Sequence, residues 1–229
     1  MPSMMEIYNK HAANYDALVN AEDVEGNLKH LLHSKIDWAG KTVYEPGIGT
    51  GRVTRLFIQQ AKKVYGFDRE QHMLNQCSKN LIEFIEKLEL GVCDNTDLTI
   101  VDEKVDVFIE GWSFGHTIIE AGDEYTSVFR KIMDRIRQIA EPEAMIVIIE
   151  SLGTNVSDPE APNEQLRNFY EHMESRYGFL RNIISTDYDF PSHIEAARIM
   201  GFFFGKEMEE SILDKKAARI PEYTGVWIL

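Results

Sequence analysis

The chain has 229 residues, 44% of them hydrophobic, and carries 38 acidic against 24 basic residues, a formal net charge of −14. That length and apolar content suit one α/β domain with additions, and the acidity argues against a nucleic-acid partner, whose phosphates select for clustered Lys and Arg. No apolar run can span a bilayer, the first residues lack the basic and apolar parts of a signal peptide, and two cysteines, Cys77 and Cys93, fit reduced thiols, so a cytoplasmic protein without membrane association is expected.

Residues 1–36 carry helical spacing at Tyr8, His11, Ala12, Tyr15, Leu18 and Val19, and again at Leu28, Leu31 and Leu32. The second group reads as a helix docking its apolar face. His30 and His33 share a helix face without an evident third ligand, so no metal site is expected. A β-branched run at 41–44 then ends in Glu45, and Gly47, Gly49 and Gly51 follow at alternate positions. Val53, Leu56, Phe57 and Ala61 have the spacing of a helix. Strand, glycine turn and helix make the architecture of a nucleotide site, because glycine lets the backbone turn sharply and approach a ligand. A dinucleotide fingerprint needs a third glycine at position 52, where Arg52 stands. A P-loop needs Gly-Lys-Ser/Thr, which is absent.

A second β-rich run, 63–67, ends at Asp68, where an acid can accept hydrogen bonds from both hydroxyls of a ribose. A third, 88–92, is followed by Cys93 and Asp94. A fourth, 105–109, ends in Glu110, Gly111 and Trp112. Acids at four successive strand ends matter because ligands of open α/β sheets sit at the carboxyl ends of the strands. Tyr125, Val128, Phe129, Ile132, Met133 and Ile136 form a strong stripe, predicting a helix over 123–140. The apolar run 144–149 predicts a parallel strand buried on both faces. Beyond it we expect a helix at 163–176, a strand at 179–188, one or two helices over 192–216 and a closing strand at 222–229. Phe202, Phe203 and Phe204 read as core.

The Glu-x-Gly-x-Gly-x-Gly pattern of 45–51 resembles motif I of the class I S-adenosylmethionine (SAM) methyltransferases. The resemblance implies SAM as cofactor, with Glu45, Gly47, Gly49 and Gly51 in the loop under its methionine part. It implies that Asp68 is the acid that holds the ribose and that Asp94 accepts from the adenine amino group. Glu110, Gly111 and Trp112 then stand beside the methionine moiety and the acceptor. Segment 11–16, His-Ala-Ala-Asn-Tyr-Asp, is similar to the family's N-terminal cover, which makes Tyr15 a cofactor contact and 1–36 a helical lid. The fold implied is α/β: a three-layer Rossmann-like sheet, mostly parallel, whose last strand runs antiparallel between strands five and six. Residues 37–229 would form the SAM-binding domain, with a helical insertion at 191–221. The loop after strand four lacks the Pro-Pro-Tyr and Pro-Cys motifs of enzymes that methylate DNA bases. The implied activity is in-line methyl transfer to a small-molecule acceptor.

A sulfonium methyl is already electrophilic, so the protein must mainly align the acceptor and exclude water. If the acceptor carries a proton, Glu110, His116 and Tyr15 are the candidate catalytic groups, and the imidazole has the most suitable ordinary pKa. Tyr15 and Trp112 also offer aromatic faces to the sulfonium. Two rivals remain. Gly111-Trp-Ser-Phe-Gly115 matches the nucleophile elbow of α/β-hydrolases, with Ser113 as nucleophile and Asp158 and His193 as partners. Against it, no helical stripe follows Ser113 directly, and the glycine loop and Asp68 are left unexplained. The other rival is a SAM-binding protein without catalytic activity.

Overall fold

The computed structural model describes residues 12–229, with side chains from residue 17 onward. Tyr8 and His11 lie outside the described residues, and so does the side chain of Tyr15, whose backbone belongs to the first helix. That helix, α1 (Ala12–Ala21), and α2 (Asn27–Lys35) precede the sheet. Four parallel strands follow: β1 (Thr42–Pro46), β2 (Lys63–Asp68), β3 (Leu88–Val92) and β4 (Val105–Gly111). Helix α3 (Gln71–Asn80) joins β2 to β3. Helices α4 (Phe114–Ala121) and α5 (Tyr125–Ile139) join β4 to β5 (Ala140–Thr154). After α6 (Glu164–His172) come β6 (Leu180–Ser185) and β7 (Tyr188–Asp189), then α7 (His193–Phe204), α8 (Lys206–Lys215), β8 (Arg219–Ile220) and β9 (Glu222–Ile228).

The main sheet has the order β3-β2-β1-β4-β5-β9-β6, and β9 runs antiparallel to both its neighbours. The α/β class and the antiparallel closing strand are therefore as the sequence implies. Alternation along the strands builds the two faces. Val43, Val64, Val107, Val147 and Val226 point toward Leu28 and Leu32 of α2 and Leu74 and Cys77 of α3. Tyr44, Phe108, Ile148 and Trp227 point the other way, onto Phe114, Phe129, Ile136 and Phe169. The second group of 1–36 thus docks on the sheet, while Leu18 of α1 packs with the insertion around Ala196, Met200 and Phe203. In the phenylalanine triplet, Phe203 is buried and Phe204 is exposed.

Local structure departs from expectation in three places. Segment 53–61 is not a continuous helix: Phe57 N–H bonds Thr54 at i−3, Ile58 N–H bonds Thr54 at i−4, and only Thr54–Leu56 is a regular 3₁₀ turn. Mixed turns keep apolar residues on one side, so Val53, Phe57, Ile58 and Ala61 are buried as a helix would bury them. The Lys87 ammonium caps the far end through the carbonyls of Ile58, Gln59 and Ala61. Second, a helix does follow Ser113 directly. It has eight residues, with Phe114 and Ile118 as its buried apolar side chains, too little for periodicity to register. Third, α6 ends in a π turn, Met173–Tyr177, and segment 179–188 divides into β6 and the separate β7.

Candidate functional site

The carboxyl ends of β1, β2, β3 and β4 open on one cleft of about 620 Å³. It lies where the strand order reverses between β1 and β4, the switch point of an open α/β sheet. Gly47, Gly49, Asp68, Asp94, Gly111, Trp112 and His116 line it, so these expected residues come together. Glu45, Gly51 and Glu110 do not line it.

The glycines differ in what they permit. All three have positive φ. A Cβ on Gly47 would stand 2.2 Å from Ser113 Oγ, so this glycine admits the start of α4. Gly51 packs in the same way against Leu81 and Cys77. Around Gly49 a Cβ would meet only Met73 Cε at 3.6 Å and the Gly47 carbonyl at 3.9 Å. Gly49 is therefore the bare floor of the cleft, where backbone can approach a ligand.

Asp68 ties this floor to the second strand. Its Oδ2 accepts from Gly49 N–H at 3.0 Å and its Oδ1 from Glu70 N–H at 2.9 Å. Each carboxylate oxygen keeps acceptor capacity for a ligand hydroxyl. Burial pushes its pKa up, and the two N–H bonds oppose that shift. Asp94 caps the following turn through Thr96 N–H, at 2.8 Å. The Asn95 amide bonds Ser113 Oγ at 3.2 Å and Thr117 Oγ1 at 3.1 Å, stapling the β3 end to α4.

Glu110 is corrected as a direct contact for cofactor or acceptor. Its side chain is fully buried, and Oε1 accepts from Ser113 N–H at 2.5 Å, Ser113 Oγ at 2.9 Å and Phe114 N–H at 2.9 Å. Those bonds satisfy the first donors of α4. Its Oε2 is buried without a partner among the described residues. Glu45 is buried too, accepts from Thr54 Oγ1 at 2.5 Å, and is pushed up to about 8 by burial, with the neighbouring Glu110 adding to it. Glu150, on β5, completes a buried carboxyl group of three; burial and then Glu110 raise it well above its ordinary value. The acids read from sequence as one set thus divide into a cleft pair, Asp68 and Asp94, and a layer beneath.

His116 stays in the cleft. Burial and then the Arg69 charge hold its pKa below the usual range, against the pull of Glu120, so it is a neutral imidazole at pH 7. Trp112 takes a left-handed backbone, φ 55°, a strained state for an aromatic residue. The Arg52 guanidinium lies 3.5 Å from its ring centroid and is ion-paired with Glu22. One face of the indole is therefore covered by a cation. Sequence reasoning missed Arg69, Glu70, Met73, Asn95 and Thr117 as lining residues. The usable signals were adjacency: Arg69, Glu70 and Met73 enter the first turn of α3 directly after Asp68, and Asn95 follows Asp94.

Ser113 does follow a strand and open a helix, so that objection to a hydrolase falls. The elbow still fails: the strained residue is Trp112, and Ser113 Oγ donates to a carboxylate and accepts from an amide. The described hydrogen bonds of Ser113 include no imidazole.

The profile of the methyltransferase domain family matches residues 43–138, from β1 through nearly all of α5. An uncharacterised methyltransferase of Geobacillus sp. strain WCH70 is 23% identical over 56% of this chain and 62% of its own length. The chain spans about six-tenths of the length of the curated relatives it first matches. Two solved structures share the fold. A SAM-dependent methyltransferase from Aquifex aeolicus is 14% identical, with TM-score 0.53 over 90% of this chain and 94% of that one. A Pyrococcus horikoshii protein described as a candidate RNA methyltransferase is 20% identical, with TM-score 0.54 over 90% and 84%. Over residues 43–138, less than half of the chain, the profile match agrees with the glycine loop, the strand-end acid and the strand order, so this part of the chain is similar to the methyltransferase domain family and its fold to that of SAM-dependent methyltransferases.

Proposed function

We propose that this protein transfers the methyl group of SAM to a small-molecule acceptor by in-line displacement. The observation that carries the reading is the Gly49 N–H bond to Asp68, which joins an alternate-glycine floor to an acid at the next strand end. The residues present fit the cofactor. Asp68 accepts from the ribose hydroxyls, Met73 offers an apolar surface to the base, and Asp94 accepts from its amino group. Gly49 leaves room for the methionine part, and Gly47 lets α4 begin beside it. The bound cofactor supplies the electrophilic methyl.

The chain's own contribution is placement and proton handling. His116, neutral at pH 7, takes a proton from a hydroxyl or ammonium acceptor. Glu110 acts as a positioning residue, holding Ser113 and the first turn of α4, from which His116 projects. Segment 1–36 contributes its first part as a cover, with Tyr15 over the cofactor. Glu22, just beyond α1, clasps Arg52 of the glycine loop and so ties cover to floor. Acidic lining favours a small acceptor over a polyphosphate: Asp68, Glu70 and Asp94 face the cleft, and its one arginine, Arg69, is paired with Glu120 at 3.2 Å. A cytoplasmic location agrees with free Cys77 and Cys93, and no described helix is long and apolar enough to cross a membrane.

Calorimetry with SAM, S-adenosylhomocysteine, NAD and ATP tests the cofactor assignment, and the expected outcome is heat from the two sulfur nucleosides alone. Methyl transfer from labelled SAM to a metabolite pool, set against a pool of RNA, tests the acceptor class. Labelled RNA with unlabelled metabolites would overturn the small-molecule reading. Binding without transfer to either pool would favour the inactive SAM-binding protein.

A further inference from the structure

Among the described residues of this acidic chain, a recess of opposite character lies against α5 and α6, not at the strand ends. Thr126, Ser127, Arg130, His172, Arg176 and Tyr177 line an open recess of about 520 Å³, with both guanidiniums exposed. Two are guanidiniums, three carry hydroxyls and none is a carboxylate, in a molecule of net charge −14. Thr126, Ser127 and Arg130 share a face of α5 at four- and three-residue spacing. Opposite them, the end of α6 widens into the π turn Met173–Tyr177, which carries Arg176 and Tyr177. Such turns sacrifice regular hydrogen bonding and recur at functional sites.

The rings in the recess are anchored. Tyr177 packs edge-on to buried Phe129 at 5.1 Å and to His172 at 5.5 Å, and His172 meets Tyr125 at 6.0 Å. The guanidiniums are uncommitted: neither Arg130 nor Arg176 forms an ion pair with a described residue, and both act electrostatically on Tyr177. The other charges facing that ring are Arg137 and Asp134, and these two neutralise each other at 2.6 Å. Burial, with Arg176 adding to it, keeps the His172 imidazole below its usual range, so at pH 7 it is a neutral ring able to donate one N–H. Two unpaired cations beside hydroxyl donors select a dianionic oxyanion, which guanidiniums bind in forked geometry.

We propose that this recess binds a small aromatic phosphate monoester, with Arg130 and Arg176 on the phosphate and the Tyr177 and His172 rings against the aromatic part. The site stands apart from the strand-end cleft and does not depend on methyl transfer. A polynucleotide fits less well, because it must neutralise a run of phosphates on a strongly acidic molecule.

The probes are phenyl phosphate, inorganic phosphate, phenol and a short oligoribonucleotide, each titrated calorimetrically into the full chain. Phenyl phosphate should saturate at millimolar concentrations or below and bind about tenfold more tightly than inorganic phosphate, with no heat from phenol. The paired substitution Arg130→Gln with Arg176→Gln should weaken it at least about tenfold. Asp68→Ala should leave it unchanged. In NMR titrations the His172 ring should gain protons at higher pH when phenyl phosphate is present, since an anion favours the imidazolium. The proposal is overturned if phenyl phosphate does not saturate, or if the paired variant binds it like the parent. Equal affinity for inorganic phosphate overturns the aromatic ligand class, and binding of the oligoribonucleotide alone overturns the small-molecule one.

Discussion

The floor of the cleft and the layer beneath it both use acids carried by neighbouring strands of one sheet, Asp68 and Asp94 at β2 and β3 and Glu45, Glu110 and Glu150 at β1, β4 and β5, yet the two sets differ in what they can do. In the floor, Asp68 and Asp94 line open space and each satisfies a backbone N–H without exhausting its oxygens. Beneath it, Glu45, Glu110 and Glu150 are buried, and their ordinary charge is disfavoured. A carboxylate in the floor keeps acceptor capacity facing open space; a carboxyl below it fixes loops and helix starts. Glu45, Asp68, Asp94 and Glu110 all stand at or just past strand ends and Glu150 lies within β5, so burial is the property that separates the two sets.

The sharpest way to break that division is Gly49→Val. A Cβ there meets nothing nearer than Met73 Cε at 3.6 Å, on a residue that lines the cleft. SAM binding should vanish while circular dichroism stays that of the parent, with about 1 kcal/mol lost to the left-handed backbone. Gly47→Val should instead fail to fold, because its Cβ would overlap Ser113. If the Gly49 variant binds SAM, the floor has been misplaced.

Next comes Glu110→Ala, a change beneath the floor. It strips an acceptor from the buried N–H of Phe114 and from Ser113, and unfolding free energy should drop by about 2–4 kcal/mol. SAM affinity should fall far less than in Asp68→Ala, where the ribose loses its acceptor and about 1–3 kcal/mol of binding. Denaturant melts and calorimetry on both variants give the comparison. A Glu110→Ala protein of parental stability that cannot bind SAM would falsify the division.

How much of this was legible in sequence depends on which property carried it. Strands were legible because Val43, Val107 and Val147 alternate with larger residues bound for the other face, and because Asp68 ends an apolar run. The topology of the closing strand came with the family resemblance. Segment 53–61 misled because periodicity reports which side is buried and not how the hydrogen bonds run. Helix α4 was missed because two buried side chains carry no period. Glu110 was misplaced because a one-dimensional pattern sees an acid at a strand end, whereas its face, shared with Phe108 two residues earlier, turns it into the core. Asn95 and Thr117 act through each other across 22 residues, which no local pattern contains.

The layer beneath should also reveal itself through pH. Glu45 moves from its ordinary 4.5 to about 8 in the folded protein, so the folded state keeps a proton that the unfolded chain releases. Its contribution is complete below about pH 4.5 and is lost as pH rises through about 8. Glu110 and Glu150 shift the same way. Unfolding free energy should therefore decline from about pH 5 to about pH 8, by at most about 1.4 kcal/mol per pH unit for each carboxyl that keeps its proton, and the thermal midpoint should fall with it. Glu45→Gln should flatten part of that slope. A slope identical in parent and variant would mean that the Glu45 carboxyl titrates normally.

The smallest effect is expected at the boundary between the two layers. Ser113 lines the cleft, yet its hydroxyl is turned to Glu110 and Asn95, at 2.9 and 3.2 Å. Ser113→Ala removes both bonds but leaves the Ser113 N–H to Glu110, so the start of α4 stays capped. SAM affinity should then change by no more than a few-fold, and stability by about 1 kcal/mol. The same residue discriminates enzyme class. A serine nucleophile would react with a fluorophosphonate, and the Ala variant would not. Ser113 lacks the described imidazole partner that a base would supply, so neither protein should be labelled. Labelling of the parent at Ser113 would move the chemistry from the SAM floor to the first turn of α4 and revive the hydrolase.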